Sequence, residues 1–129
     1  MKLLLVAIGA LIVGAAAVML VISRGGALPE APVALAWERE PCAQCHHAIG
    51  SEVSAAELVT SDGSVLAFDT PGCALSYLRT RKPHVHRLWF HVGPDWLGGD
   101  DVRFAANGVT LVERGAAGAR TLAQVLSSM

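Results

Sequence analysis

The sequence is short of charge: of 129 residues only 16% are Asp, Glu, Lys or Arg, and the formal net charge is −1. With Lys2 and Arg24 set aside, eight Lys and Arg face eleven Asp and Glu, a balance of −3. That balance gives no support to a nucleic-acid surface or to attraction for an anionic membrane. There is no internal repeat, and no phosphate loop, pair of catalytic carboxylates or Ser/His/Asp arrangement stands out, so the chain is not expected to be an enzyme. Beyond the first 24 residues the only methionine is Met129, which leaves little thioether for metal binding. The length allows one small domain at most.

Hydrophobic residues make up 53% of the chain, and they are unevenly spread. Residues 3–22, LLLVAIGALIVGAAAVMLVI, contain no charge. A helix of 20 residues is about 30 Å long, the thickness of a hydrocarbon core. Residues 1–24 are therefore expected to form a transmembrane anchor, with Lys2 and Arg24 at its flanks and the short N-terminal tail inside. Ala15-Ala16-Ala17 is also an A-x-A site, but the apolar run continues past it, beyond the usual length for a cleaved signal. Residues 25–40 carry two Pro and two Gly without a period and read as a linker. Residues 41–129 form the remaining domain, expected to face the periplasm from the inner membrane. Its small size leaves a marginal core that a metal or cross-link would help to stabilise.

An α+β domain is expected from the periodicity. Strands are predicted over 55–60 and 65–69, with Asp62-Gly63 in the turn between them. Thr70 is a good N-cap with Pro71 behind it, which starts a helix that stops at Pro83, with Leu75 and Leu78 on one face. The run 85–92, VHRLWFHV, reads as a central strand and completes a ββαβ unit. Gly93-Pro94-Asp95 then reads as a turn, Asn107-Gly108 as the loop of an extra hairpin between 102–105 and 109–112, and Thr121 as the cap of a last helix. The apolar face of that helix is expected to be Leu122, Val125 and Leu126.

The chemistry is concentrated in Pro41-Cys42-Ala43-Gln44-Cys45-His46-His47. Two thiols three residues apart can close on one metal ion or on each other, and adjacent imidazoles add further donors. Cys73 falls in the first turn of the predicted helix, where backbone N–H groups and the dipole favour a thiolate. Gly72 is expected to let another segment approach closely. Cys42, Cys45 and Cys73 with one His make a soft-metal site.

These pieces resemble the NosL family, accessory copper chaperones of nitrous oxide reductase. The resemblance is carried by Cys42, Cys45, His47, Ile49, residues 55–58, Asp62-Gly63, Phe68-Asp69, Gly72-Cys73, Tyr77-Leu78 and Asp95-Trp96. It implies a membrane-attached, extracytoplasmic protein that binds Cu(I) through Cys42, Cys45, His47 and Cys73 and delivers it to a client metalloenzyme. His47 stands where the family has Met, an apolar anchor replaces the family's lipoprotein Cys, and the second ββαβ unit is missing or shortened here.

Three other readings use the same loop. Cys42-Ala43-Gln44-Cys45-His46 is a literal C-x-x-C-H, the attachment signature of haem c, with His84, His86 or His91 as a second axial ligand. Zn is the second, favoured by the imidazole at His47. Thiol-disulfide exchange is the third, with Cys42 attacking and Cys45 resolving.

Overall fold

The computed structural model describes Met1, residues 26–50 and residues 54–128. The expected anchor run 3–22 lies outside these, and among the described residues no helix is long and apolar enough to cross a membrane. The described chain is α+β, with β1 (Ala56–Thr60), β2 (Val65–Phe68), α1 (Pro71–Arg81), β3 (Val85–Val92), β4 (Asp95–Gly98), β5 (Arg103–Phe104), β6 (Leu111–Val112) and α2 (Leu122–Ser127). Strands β1 to β4 form one antiparallel sheet in the order β2-β1-β3-β4, and β5 pairs with β6 alone.

Register assigns the two faces. Ala56 lies across from Phe68 and Phe90, and Leu58 from Leu66 and Leu88, so these side chains point the same way. Helix α1 covers this face with Ala74, Leu75 and Tyr77, whose ring meets Phe68 at 5.3 Å between centroids. Phe104 completes it, edge-on to Phe90 at 5.5 Å.

The opposite face carries Glu57, Val59, Trp89 and His91, and residues 28–40 lie over it as a strap with no helix or strand of its own. Glu30 accepts from Arg87 Nε at 2.9 Å and pairs with His86 Nε2 at 2.9 Å. Val33 N–H donates to Glu57 Oε1 at 2.7 Å, and the rings of Trp37 and His91 meet at 5.7 Å. The segment read from its composition as a linker therefore covers the sheet, which is why all five residues of β1 are buried.

The ββαβ unit forms with ends within a residue of expectation, Thr70 capping α1 and Lys82 closing it in the left-handed region. Strand β4 is an addition. The turn at Gly93 does not end the sheet: Val92 pairs with Asp95, so Gly93-Pro94 is a two-residue hairpin loop with Gly93 at φ 61. Glycine leading such a loop is a hairpin signal in its own right.

The Asn107-Gly108 hairpin has strands of two residues each, shorter than expected. Asn107 Oδ1 accepts from the N–H of Val109 and of Thr110, both at 3.1 Å, so the side chain organises a wide loop. The capping box of Thr121 and Gln124 forms as expected. Leu126, however, is 39% exposed. Leu122 and Val125 pack against the core, while Leu126, though four residues from Leu122 and on its face, is left exposed near the end of this short helix.

Phe90 is fully buried at the centre of this core, and Phe90→Ala is expected to cost about 3–5 kcal/mol, read as a lowered urea midpoint. Burial pushes the Glu57 carboxyl above its usual range, against the opposing Val33 N–H, and its Oε2 has no partner among the described residues. The folded state then holds this proton more tightly than the unfolded one, so stability falls as pH rises through the window above the ordinary carboxylate value. Glu57→Gln should flatten that slope above about pH 4 and raise the neutral-pH urea midpoint. An unchanged slope would refute the assignment.

Candidate metal centre

The Cys loop is built by its own backbone. Pro41 and Ala48 form an antiparallel bridge, Cys42 N–H donates to the His47 carbonyl at 2.8 Å, and His46 N–H donates back to the Cys42 carbonyl at 2.9 Å. Closing so tight a turn puts His46 in the left-handed region at φ 64. Below it, Ile49 is fully buried, and its N–H and carbonyl bond Glu40 and Glu38 at 2.9 and 2.8 Å. Two further bonds locate the turn. Ala43 N–H donates to the Ala67 carbonyl of β2 at 2.8 Å, and Gln44 Nε2 donates to Ser76 Oγ of α1 at 3.2 Å.

Cys73 arrives from the other side. Only Asp69 and Thr70 separate β2 from α1, so the helix must begin beside the end of the strand to which the loop is bonded. Thr70 Oγ1 accepts the Cys73 N–H at 3.1 Å. Gly72 is not required for close approach, because a Cβ there would meet Val109 at 3.7 Å, an ordinary contact.

The result is a cluster in which the sulfurs of Cys42, Cys45 and Cys73 all lie within 4.8 Å of one another. All three are free thiols, so the alternative Cys42–Cys45 disulfide is not formed. Cys42 is fully buried, whereas Cys45 and Cys73 are partly exposed. A trigonal set with metal–sulfur bonds of about 2.3 Å needs sulfurs about 4 Å apart, so the three fit one soft metal ion after sub-ångström adjustment.

His47 is exposed on the same loop and its imidazole is not part of the cluster. His84, His86 and His91 do not join it either. His86 is bound to Glu30, and His91 is buried between Trp37 and Trp96, the second at 4.9 Å. A cleft of about 680 Å³ lies at the other end of α1 around Tyr77, Pro83 and His84.

The electrostatics reverse the sequence expectation for the thiolate. Burial pushes the Cys42 thiol up, but the backbone N–H groups of Cys45, Asp69 and Gln44 outweigh it and bring the thiol below its ordinary value. Cys73 is instead pushed up to about 11, by burial first and then, against the Thr70 hydroxyl, by the neighbouring Cys42 charge. The helix-start donor that was to stabilise a Cys73 thiolate is taken by the Thr70 cap.

These positions bear on the rival readings. Thioether bonds to a porphyrin would require the fully buried Cys42 to become accessible. An attacking thiol must be accessible, and Cys42 is the least accessible of the three.

In the metal-free chain, iodoacetamide is expected to modify Cys45 first and Cys42 last, as read by peptide mapping. Cys42 reacting first would mean the loop opens in solution. No family model, curated protein or solved structure matches this chain, so its functional reading stands on the thiol cluster.

Proposed function

We propose that this protein is a membrane-anchored, extracytoplasmic Cu(I) carrier that receives the ion at the cluster of Cys42, Cys45 and Cys73 and passes it to a client metalloenzyme. The observation that carries the reading is three thiols from two separate segments drawn within 4.8 Å of one another. Thiolates are soft donors suited to Cu(I), and three of them complete a trigonal site for that ion. Structural zinc sites are almost always tetrahedral, and no fourth protein ligand joins this set among the described residues. The resemblance to NosL proteins in residues 41–97 and the apolar run 3–22 support the copper and membrane parts of the reading.

Transfer follows from the burial gradient. A client's ligand enters at the exposed edge, where Cys45 or Cys73 is displaced first, and the buried Cys42 releases the ion last. His47, exposed beside Cys45, is an available imidazole on the exit side of the loop. Uptake must displace the Cys73 proton, so apparent affinity weakens as pH falls. The protein acts as a carrier and catalyses no bond-making step.

Native mass spectrometry of the chain loaded under reducing conditions is expected to give one copper per chain, lost on denaturation. Cys73→Ser should lower Cu(I) affinity by more than the 10–100-fold typical of losing an outer-shell partner, in competition with a colorimetric chelator. His47→Ala should cost far less. Equal affinity in Cys73→Ser would remove the three-thiol site, and haem retained after denaturation would replace the carrier with a small cytochrome.

A further inference from the structure

The two ends of the domain differ in charge, and the chain enters at the more basic one. Leu28 lies against the β1–β2 turn, where a Cβ on Gly63 would sit 3.4 Å from Leu28 Cδ2. The C-terminal end of α1 comes to the same place, since Ser61 N–H donates to the His84 carbonyl at 2.8 Å. Exposed Arg79, Arg81 and Lys82 close that helix, and exposed Arg87 follows on β3. Four of the eight Lys and Arg that follow Arg24 are thus gathered here. Of the acids nearby, Glu30 pairs with Arg87 and His86, while Asp62, bonded by Thr60 and the Ser64 N–H, keeps its charge, so the end retains an excess of positive charge. Val65 and Val85, 36% and 46% exposed, begin β2 and β3 at this end.

The thiol cluster occupies the opposite end. Cys73 is in the first turn of α1, eight residues and about 12 Å before Arg81. Its partner loop is bonded to Ala67 at the far end of β2. The strap carries the chain between the two ends, from Leu28 beside the basic turn to Pro41 at the cluster.

The uncharged run 3–22 is followed by Arg24, and four residues later Leu28 is packed on the domain. The six residues from Ile22 to Leu28 span at most about 22 Å when extended. A bilayer that holds residues 3–22 therefore holds the basic end close to its headgroups. Screening over about 8 Å at physiological salt makes this local cluster, rather than the balance of −3, the charge a headgroup meets.

We propose that the end formed by the β1–β2 turn, the last turn of α1 and the start of β3 is a docking surface for anionic phospholipid headgroups, which turns the Cys42/Cys45/Cys73 cluster away from the bilayer. This rests on the membrane-anchor part of the reading above. Arg79, Arg81 and Lys82 supply the charge, Val65 and Val85 the apolar contact. The cluster then faces a soluble or membrane-bound client without competition from the lipid surface.

The test is hydrogen exchange on the full chain in nanodiscs of phosphatidylcholine alone or mixed with phosphatidylglycerol. Amides of 61–64 and 82–87 are expected to exchange several-fold more slowly with phosphatidylglycerol, an effect abolished by molar salt, while amides of 42–47 exchange equally in both. The triple variant R79Q/R81Q/K82Q should lose the difference while keeping the wild-type circular dichroism spectrum. Equal exchange of 61–64 and 82–87 in the two lipids, insensitivity to salt, or protection at 42–47 instead would each overturn the docking. Flotation after alkaline carbonate separates the failures. A chain that floats without lipid-dependent protection loses the docking alone, whereas one that does not float loses the anchor and the docking with it.

Discussion

The site depends on one backbone hydrogen bond, from Ala43 N–H to the Ala67 carbonyl. It joins the Cys loop to the free edge of β2, one residue before that strand ends. Because four residues later the chain turns into α1, whatever is bonded at Ala67 is beside the first turn of the helix. Helix α1 is in turn held by Phe68, Tyr77, Ala74 and Leu75 against the sheet. Packing of the apolar face thereby sets the distance between Cys73 and the loop thiols. The bond also occupies an edge that would otherwise offer unpaired backbone groups to another chain.

Within the site, exposure and electrostatics divide the labour. The buried Cys42, surrounded by backbone donors, gives up its proton more readily than an ordinary thiol, while the partly exposed Cys73 is pushed up to about 11. The thiol that must give up its proton is one a competing ligand can reach. Among the described residues the cluster has three thiols and no fourth ligand, which would leave a bound soft metal ion open to a competing ligand.

The sheet is covered on both faces, which is unusual for so short a chain and follows from the strap. Glu57 and His91 are buried beneath it, and Glu57 Oε2 and His91 Nδ1 have no hydrogen-bond partner among the described residues. Leaving such groups unpaired carries a desolvation cost. The strap is thus held by Glu30 at one end and by the Glu38 and Glu40 backbone at the other, with strained polar burial between. This path also links the point of chain entry to the loop that presents the thiols, so the two ends of the domain are oriented together.

Much of the architecture was legible from local signals. Thr70-Pro71 marked the start of α1, the VHRLWFHV run marked β3, and Thr121 with Gln124 marked the last cap, because caps, breakers and periodicity act within a few residues. Clustering of Cys42 and Cys45 was equally local, and a third thiol near a helix start was enough to name Cys73 as their partner. What local pattern could not decide was everything that depends on a neighbour distant in sequence. Two-sided burial of β1, the strap in place of a free linker, the edge pairing of β4 and the absence of His47 from the thiol cluster all depend on which surfaces meet. The direction of the Cys73 shift belongs with them, since it comes from desolvation and from a charge 31 positions earlier in the chain. Sequence alone determined which donors exist and where the turns fall, because short-range sterics and hydrogen bonding set those. Only the tertiary structure decided which donors share a site and in which direction burial and neighbours move Cys42 and Cys73, because proximity and dielectric arise from packing.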